Sequence, residues 1–227
     1  PENVENFSST AYFFSREIHK TLNVPIGIIH SSWGGSPAES WTSENKLRDL
    51  GFFTDTLNLI SENMTDELSS LNGQNKIELS PFLPKVLFNG MINPLIPFSI
   101  KGVIWYQGES NVGRHKQYMY LFPGMIEDWR YYWGEDFPFY FVQIAPFRYN
   151  KTPGIDDVSQ ELREAQRKTL RVPKTGMVVT LDIGDYDNIH PANKQDVGKR
   201  LARLALFNDY DAGSSLMGPI LKSSDLI

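Results

Sequence analysis

The chain has 227 residues, of which 41% are hydrophobic and 22% are charged, a composition typical of a globular domain and unlike that of disordered or fibrous proteins. Its 22 Lys and Arg against 27 Asp and Glu give a net charge of -5 with no basic run, so we expect neither nucleic acid nor a membrane as a partner. No apolar stretch reaches the roughly 18 to 20 residues that cross a bilayer, and the lack of Cys excludes disulfides, a thiol nucleophile and a Cys-bound metal.

The hydrophobic pattern predicts alternating helices and strands along the chain. Apolar residues recur three or four positions apart in the predicted helices, whereas the predicted strands are short and continuously apolar, as in sheets covered on both faces. In chain order we expect a helix over 11–22, a strand over 25–29, helical segments near 44–50 and 53–71, a strand over 100–105, a helix over 118–133, a strand over 138–144, a helix over 158–170, a strand over 176–183 and a helix over 193–207. This order favours a mainly parallel sheet with helices on both faces. We expect the polar, weakly patterned residues 43–80 to form a helical excursion from this core.

Three of the predicted strands lead into loops that are rich in small, polar or titratable residues. These loops are residues 30–37, 107–111 and 182–191. Because the carboxyl ends of parallel strands lie at one edge of a sheet, we expect the three loops to converge on a single site.

The last of these loops contains Asp187 and His190. With this spacing the carboxylate can accept a hydrogen bond from one ring nitrogen while the other ring nitrogen faces a substrate, as in a general base with its orienting acid. The same spacing also fits a surface loop whose aspartates cap the next helix. A metal site is a weaker interpretation, because the spacing matches no EF-hand or zincin pattern.

Paired glycines mark the first loop. Gly34 and Gly35 permit positive φ angles and close approach of backbone N–H groups to an oxyanion, although such pairs also occur in ordinary turns. Trp33 and Trp41 have aromatic faces that could pack against a sugar ring or could simply pack the loop.

The middle loop contains two candidate polar residues. Gln107 could present its side-chain amide to an oxyanion, and Glu109 could fix the neighbouring loops through their backbone amides. A polar turn after a strand is the alternative interpretation. Glu109 could also pair with an aspartate as in a glycosidase.

Five motifs follow one another over nearly the whole chain. They are Val24 to Trp41, Phe88 to Pro94, Lys101 to Asn111, Leu162 to Gln166 and Asp187 to Pro191. Taken together they resemble the sialate O-acetylesterases of the SGNH hydrolase superfamily, and the run from Trp105 to Asn111 is especially distinctive.

The resemblance implies a flavodoxin-like, three-layer α/β/α sandwich of the SGNH type. It also implies a Ser-His-Asp esterase that removes O-acetyl groups from sugars and needs no cofactor and no metal. The residue roles that it implies are His190 as general base, Asp187 as its partner, the Gly35 backbone N–H and the Gln107 side chain as the oxyanion hole, and Glu109 and Arg163 as supporting residues. A secreted or periplasmic location follows from the resemblance alone, because the sequence contains no signal peptide.

The sequence departs from the family at the nucleophile. The family's nucleophilic Ser lies in a Gly-Gln-Ser-Asn type of motif after the first strand, and no such motif occurs here. We therefore expect residues 1–217 to be the later part of an esterase domain that is incomplete at its N-terminal strand, and residues 218–227 to start a following segment. A further polypeptide segment would supply the first strand and the nucleophilic Ser, since an unpaired sheet edge leaves backbone groups unsatisfied.

Serines within the chain are the alternative nucleophiles. Ser31, Ser32 and Ser36 lie in the first loop, but none of them is in a Gly-x-Ser-x-Gly motif. A function of a different class also remains open, in which the chain is a catalytically inactive carbohydrate-binding fragment or pseudoenzyme that uses Trp33 and Trp41.

Overall fold

A computed structural model of the protein describes residues 7–69, 80–149 and 158–212, with side chains described for all of these except 63–69. Its helices and strands are, in chain order, α1 (Ser9–Leu22), α2 (Glu44–Leu50), α3 (Thr54–Ser69), β1 (Val103–Trp105), α4 (His115–Trp133), β2 (Phe139–Val142), α5 (Ser159–Lys168), β3 (Thr175–Val178) and α6 (Lys194–Tyr210). Short 3-10 turns lie at Ala38–Trp41, Asn93–Leu95, Glu109–Arg114 and Thr169–Arg171, and a π-helical turn lies at Phe88–Ile92.

The three described strands form one parallel sheet in the order β1-β2-β3. In the register of this sheet, Val103 pairs with Phe139, and Phe139 pairs with Thr175. Helix α4 connects β1 to β2 and helix α5 connects β2 to β3, as parallel neighbours require. The predicted parallel sheet is thereby confirmed.

Side chains of β2 alternate between two apolar layers. Phe139 and Phe141 face a large aromatic core that includes residues of α4 and α5, whereas Tyr140 and Val142 face a smaller core that includes residues of α1 and α6. The sheet therefore has helices on both faces, and the predicted three-layer α/β/α architecture is confirmed.

Polar residues set the starts of several helices. The side-chain oxygens of Ser8, Ser43 and Asn193 accept hydrogen bonds from backbone N–H groups in the first turns of α1, α2 and α6. The cap at Asn193 starts α6 directly after the loop that contains His190, so it also fixes where that loop ends.

The predicted helices agree with the structure to within a few residues, but the strands do not all agree. The strands predicted over 100–105, 138–144 and 176–183 are present in shortened form, whereas the strand predicted over 25–29 is wrong. An apolar run becomes a strand only where a neighbouring strand takes its backbone hydrogen bonds, and residues 25–29 have no such neighbour among the described residues. Ile29 is 52% exposed there.

Helices α2 and α3 occur where helical segments were expected, but they are not detached from the core. Leu47 and Leu57 are fully buried in the same cluster as Phe122 of α4, so the expected excursion is corrected to a packed part of the domain. The remainder of the predicted segment 43–80, from 70 to 79, lies outside the described residues, as do residues 213–227 at the proposed domain end.

Candidate active site

A cavity of about 1550 Å³ lies between the segment 24–36 and strand β1. Its walls also include residues of α1 and α6 and the loops that follow β1 and β3. The carboxyl ends of β1 and β3 therefore open onto the same space, which is where ligands bind in parallel α/β sheets.

Most of the predicted site residues line this cavity. Those that do are Trp33, Gly35, Trp41, Gln107, Glu109 and His190. Asp187 and Arg163 are not among the lining residues. The structure thus brings residues from all three predicted loops to one cavity, whereas Asp187, three residues before His190, does not line it.

The loop that carries His190 is organised by its own polar side chains. The backbone N–H of His190 donates to Oδ1 of Asn188 at 2.9 Å, and the backbone N–H of Asp187 donates to Oδ1 of Asp185 at 2.9 Å. Such turns give the loop a defined path without secondary structure. Both His190 and Asp187 are exposed, so the imidazole lies at the mouth of the cavity.

Asp187 also lies near a cation. Nη1 of Arg148 is 3.6 Å from Oδ1 of Asp187, and both side chains are exposed. An exposed ion pair at this distance is weak and is screened by salt. The contact with Arg148 therefore contributes little to holding the Asp187 carboxylate in place.

A small cluster of charges lies deeper in the cavity. Burial raises the pKa of the Glu109 carboxyl, and the nearby positive charges of Lys194 and His190 oppose that rise. Burial also lowers the pKa of the Lys194 ammonium, whereas the negative charge of Glu109 raises it. The same ammonium lies 4.9 Å from the centroid of the Tyr106 ring. Glu109 is thus a strongly desolvated acid, and the charges of two neighbouring residues favour its ionised form.

Gln107 bridges the two loops on either side of the cavity. Its Nε2 donates to the backbone oxygen of Ser36 at 3.1 Å and to Oδ1 of Asn111 at 2.7 Å, and Ser110 Oγ donates to the backbone oxygen of Gly35 at 2.6 Å. A carboxamide nitrogen has two hydrogens, and both are used here. Donation from Gln107 to an oxyanion therefore requires that one of these bonds be exchanged for a bond to substrate.

Gly35 has the conformation that the sequence predicted for it. Its φ of 75° lies in the left-handed region that favours glycine. Its backbone N–H has no hydrogen-bond partner in the part of the chain that the structure describes. An unsatisfied N–H on a fixed turn at a cavity wall is a suitable donor for a developing negative charge.

The two tryptophans differ in their surroundings. Trp33 is 51% exposed and lines the cavity. Trp41 is 2% exposed, donates from Nε1 to Ser36 Oγ at 2.8 Å and packs edge-on against the ring of Trp105. Of the two interpretations of Trp41, sugar binding is therefore wrong and packing of the loop agrees with the structure, because an enclosed ring cannot stack on a sugar.

Helix α5 contributes a residue to which sequence reasoning gave no role. Gln166 is fully buried, accepts from the backbone N–H of Ile144 at 2.9 Å, and donates to the backbone oxygens of Gln107 and Val142, each at 3.2 Å. It thereby fixes the chain after β1 to the chain at the end of β2. A glutamine on the apolar face of a predicted helix was the available signal, since a buried amide needs partners.

Arg163, the predicted supporting residue on the same helix, is half-buried and lies away from the cavity. Its backbone oxygen accepts from Nε2 of Gln143 at 3.1 Å, which ties α5 to the end of β2. Its Nη1 is buried and has no hydrogen-bond partner among the described residues.

The three alternative serines have different partners. Ser31 Oγ donates to the backbone oxygen of Met91 at 3.2 Å, and Ser36 Oγ donates to the backbone oxygen of Trp33 at 2.7 Å. Ser32 Oγ lies 2.6 Å from Nε2 of His30, so it is the serine of this loop that has a potential base beside it.

Neither a metal-binding cluster nor a membrane-spanning helix occurs in the part of the chain that the structure describes. Within 7–69, 80–149 and 158–212, no three His, Asp or Glu side chains come together as a metal site would need. No helix in that part of the chain combines the length and the apolar character that crossing a membrane requires.

Comparisons with known proteins give one consistent family. A family model described as "Carbohydrate esterase, sialic acid-specific acetylesterase" matches residues 84–206. The chain is 35% identical to the sialate O-acetylesterase of Homo sapiens over 97% of its own length, and 31% identical to that of Mus musculus over 99%. Among solved structures it is similar to a carbohydrate acetylesterase from Xanthomonas citri, with 38% identity and a TM-score of 0.75 over 93% of this chain.

The chain spans less than half the length of these relatives. It covers 43% of the human protein, 47% of the mouse protein and 43% of the Xanthomonas citri chain.

Replacement of Glu109 by Gln tests the desolvation of this carboxyl. Because its folded pKa is raised above the ordinary value of 4.5, the folded protein keeps a proton that the unfolded chain releases, and stability falls as the pH rises above about 4.5 until the folded pKa is passed. Glu109→Gln should remove this part of the pH dependence, a slope of at most about 1.4 kcal/mol per pH unit. Urea denaturation at a series of pH values measures it.

The control for this prediction is Glu161→Gln, the same substitution at an exposed position in the first turn of α5. The slope in this control should match the wild type. If Glu109→Gln also keeps the wild-type slope, Glu109 is not desolvated in the folded protein.

Proposed function

The chain belongs to the sialic acid-specific acetylesterase family of carbohydrate esterases, and from that membership we propose that the protein containing it removes O-acetyl groups from sugars. The proposed enzyme is a serine carboxylic-ester hydrolase of the SGNH type, and its substrate is an acetylated sugar. The observation that supports the proposal is that His190 and Gly35, whose N–H has no partner among the described residues, line the same cavity beside the loops that follow β1 and β3.

The proposed reaction is acyl transfer to a serine, with His190 as the base. The serine Oγ attacks the acetyl carbonyl carbon while His190 takes its proton, and the bond to the sugar oxygen then breaks as His190 returns that proton to it. Water attacks the acetyl-enzyme in the same way and releases acetate. Asp187, three residues before His190, holds the imidazole tautomer once it exchanges its contact with Arg148.

Backbone and side-chain amide donors stabilise the negative charge on the tetrahedral intermediate. Gly35 offers an N–H that already lies on a fixed turn, and Gln107 offers a second donor by exchanging its bond to Ser36. Trp33 offers the exposed ring against which a sugar can pack. Glu109 supports the site electrostatically and Arg163 supports it through α5.

We propose that the nucleophile comes from a further polypeptide segment that fills the cavity beside β1. The N–H of Val103 donates to the backbone oxygen of Pro138 at 2.9 Å, so the N–H and C=O of Ile104 point the opposite way, towards the cavity. A strand in this space would pair with β1 on one side and with residues 25–29 on the other. It would also give residues 25–29 the neighbour that a strand needs, and its carboxyl end would lie near His190.

Two further proposals rest on the resemblance. Residues 1–217 are the later part of the esterase domain, with residues 218–227 opening a following segment. The protein is secreted or periplasmic.

His190→Ala in the full-length protein tests the assignment of the base. General-base catalysis contributes about 10²- to 10⁴-fold to rate, so turnover of p-nitrophenyl acetate should fall by at least about 10²-fold. His19→Ala is the control, because His19 is exposed on α1 and does not line the cavity. Wild-type turnover in His190→Ala would remove His190 from the mechanism.

Amide hydrogen exchange in the full-length protein tests whether a strand occupies the cavity. The Ile104 N–H should be protected to a similar degree as the Val103 N–H, which already donates to the backbone oxygen of Pro138 just before β2. The expected protection is about 10³-fold or more over an unstructured peptide, as for a core strand. Free exchange at Ile104 beside a protected Val103 would contradict the proposed strand.

A further inference from the structure

Asn111 lies at the point where the two loops beside the cavity meet. It is fully buried and belongs to the 3-10 turn Glu109–Arg114 that follows β1. Its Oδ1 accepts from the backbone N–H of Ala38 at 3.0 Å and from Nε2 of Gln107 at 2.7 Å. Both lone pairs of this oxygen are therefore used, one on each loop.

The other end of the Asn111 carboxamide is held by a buried acid. Nδ2 of Asn111 donates to Oε2 of Glu39 at 3.0 Å, and the second carboxylate oxygen of Glu39 pairs with Arg114. Glu39 is 4% exposed. A carboxylate this deep is stable only when its charge is paired and its oxygens are hydrogen-bonded, so the arrangement has one orientation.

This orientation determines which way Gln107 presents its amide. Because Oδ1 of Asn111 is an acceptor, the group that faces it must be the Nε2 of Gln107, which leaves the second hydrogen of Nε2 directed at Ser36. Asn111 also holds the backbone at Ala38, three residues after Gly35. Neither Asn111 nor Glu39 is among the described residues that line the cavity, so both act through their neighbours.

We propose that Asn111, oriented by Glu39, is a positioning residue: it holds the backbone at Ala38, three residues after Gly35, and it orients the Gln107 amide so that the Nε2 hydrogen now directed at Ser36 is the one available for exchange to the oxyanion. The inference rests on the proposed esterase function. A donor displaced by about 1 Å costs roughly 10²-fold in rate, because preorganised donors act at the transition state and not on the bound substrate.

The test is a pair of isosteric substitutions in the full-length protein. Asn111→Asp keeps the oxygen that accepts from Ala38 and Gln107, but it replaces the donor to Glu39 with a second carboxylate oxygen that Glu39 repels. We therefore expect kcat for p-nitrophenyl acetate to fall about 10²-fold, with KM changed less than about threefold. Adding Glu39→Gln restores the hydrogen bond between positions 39 and 111 in the opposite direction, because the Gln amide now donates to the new carboxylate. The pair still carries one negative charge beside Arg114. The double variant should recover kcat to within about tenfold of the wild type.

Two further measurements separate positioning from loss of fold. Hydrogen exchange at the Ala38 backbone amide should be faster in Asn111→Asp than in the wild type and should return to the wild-type rate in the double variant. Asp128→Asn is the control, because Asp128 is another buried carboxylate, accepts from the N–H and Oγ of Ser43 at 2.8 and 2.7 Å, and, like Ser43, is not among the described residues that line the cavity. It should lower the melting temperature without lowering kcat.

The outcomes distinguish this inference from the proposed function. If the unmodified protein hydrolyses acetyl esters and Asn111→Asp keeps the wild-type kcat, or the double variant shows no recovery, the positioning role is overturned while the esterase function stands. If the unmodified protein has no esterase activity, the proposed function fails and the positioning role fails with it.

Discussion

The free edge of β1 is the constraint on which the rest of the structure depends. The N–H and C=O of Ile104 face a cavity of about 1550 Å³, and the apolar residues 25–29 lie across that cavity. Among the described residues, neither this edge of β1 nor the segment 25–29 has a neighbouring strand. Buried backbone groups are paired in nearly all native proteins. The same cavity contains His190 and the turn at Gly35, so a strand that satisfied β1 would also complete the site.

The candidate site is held by buried polar contacts and not by secondary structure alone. Gln166 fixes the chain after β1 to the end of β2, and Asn111 with Glu39 fixes that same chain to the loop before α2. Each of these side chains is buried and hydrogen-bonded through both of its terminal polar atoms, which restrains the loops. The residue at the mouth, His190, is exposed and lies on a loop shaped by short turns. The proposed donors, Gly35 and Gln107, thus lie between buried contacts, whereas the proposed base, His190, faces solvent.

Hydrophobic spacing was sufficient to predict the helices and the α/β/α architecture, because each helix buries one apolar face. It was wrong for residues 25–29, since an apolar run does not reveal whether a neighbouring strand is present. It could not identify the contact between Glu39 and Asn111, which are 72 positions apart and meet only in the folded chain. The sequence also left two interpretations of Trp41 open, a sugar platform or packing of the loop, because the exposure of an aromatic ring in a loop depends on what packs over it.

The location of the reactive serine tests the account most directly. The full-length protein is treated with a serine-directed fluorophosphonate, digested, and analysed by mass spectrometry to find the modified residue. We predict one adduct on a serine outside residues 1–227, lost when the protein is denatured before treatment. An adduct on Ser32, whose Oγ lies 2.6 Å from Nε2 of His30, would show that the nucleophile is within this chain, and the absence of any adduct would contradict the proposed catalysis.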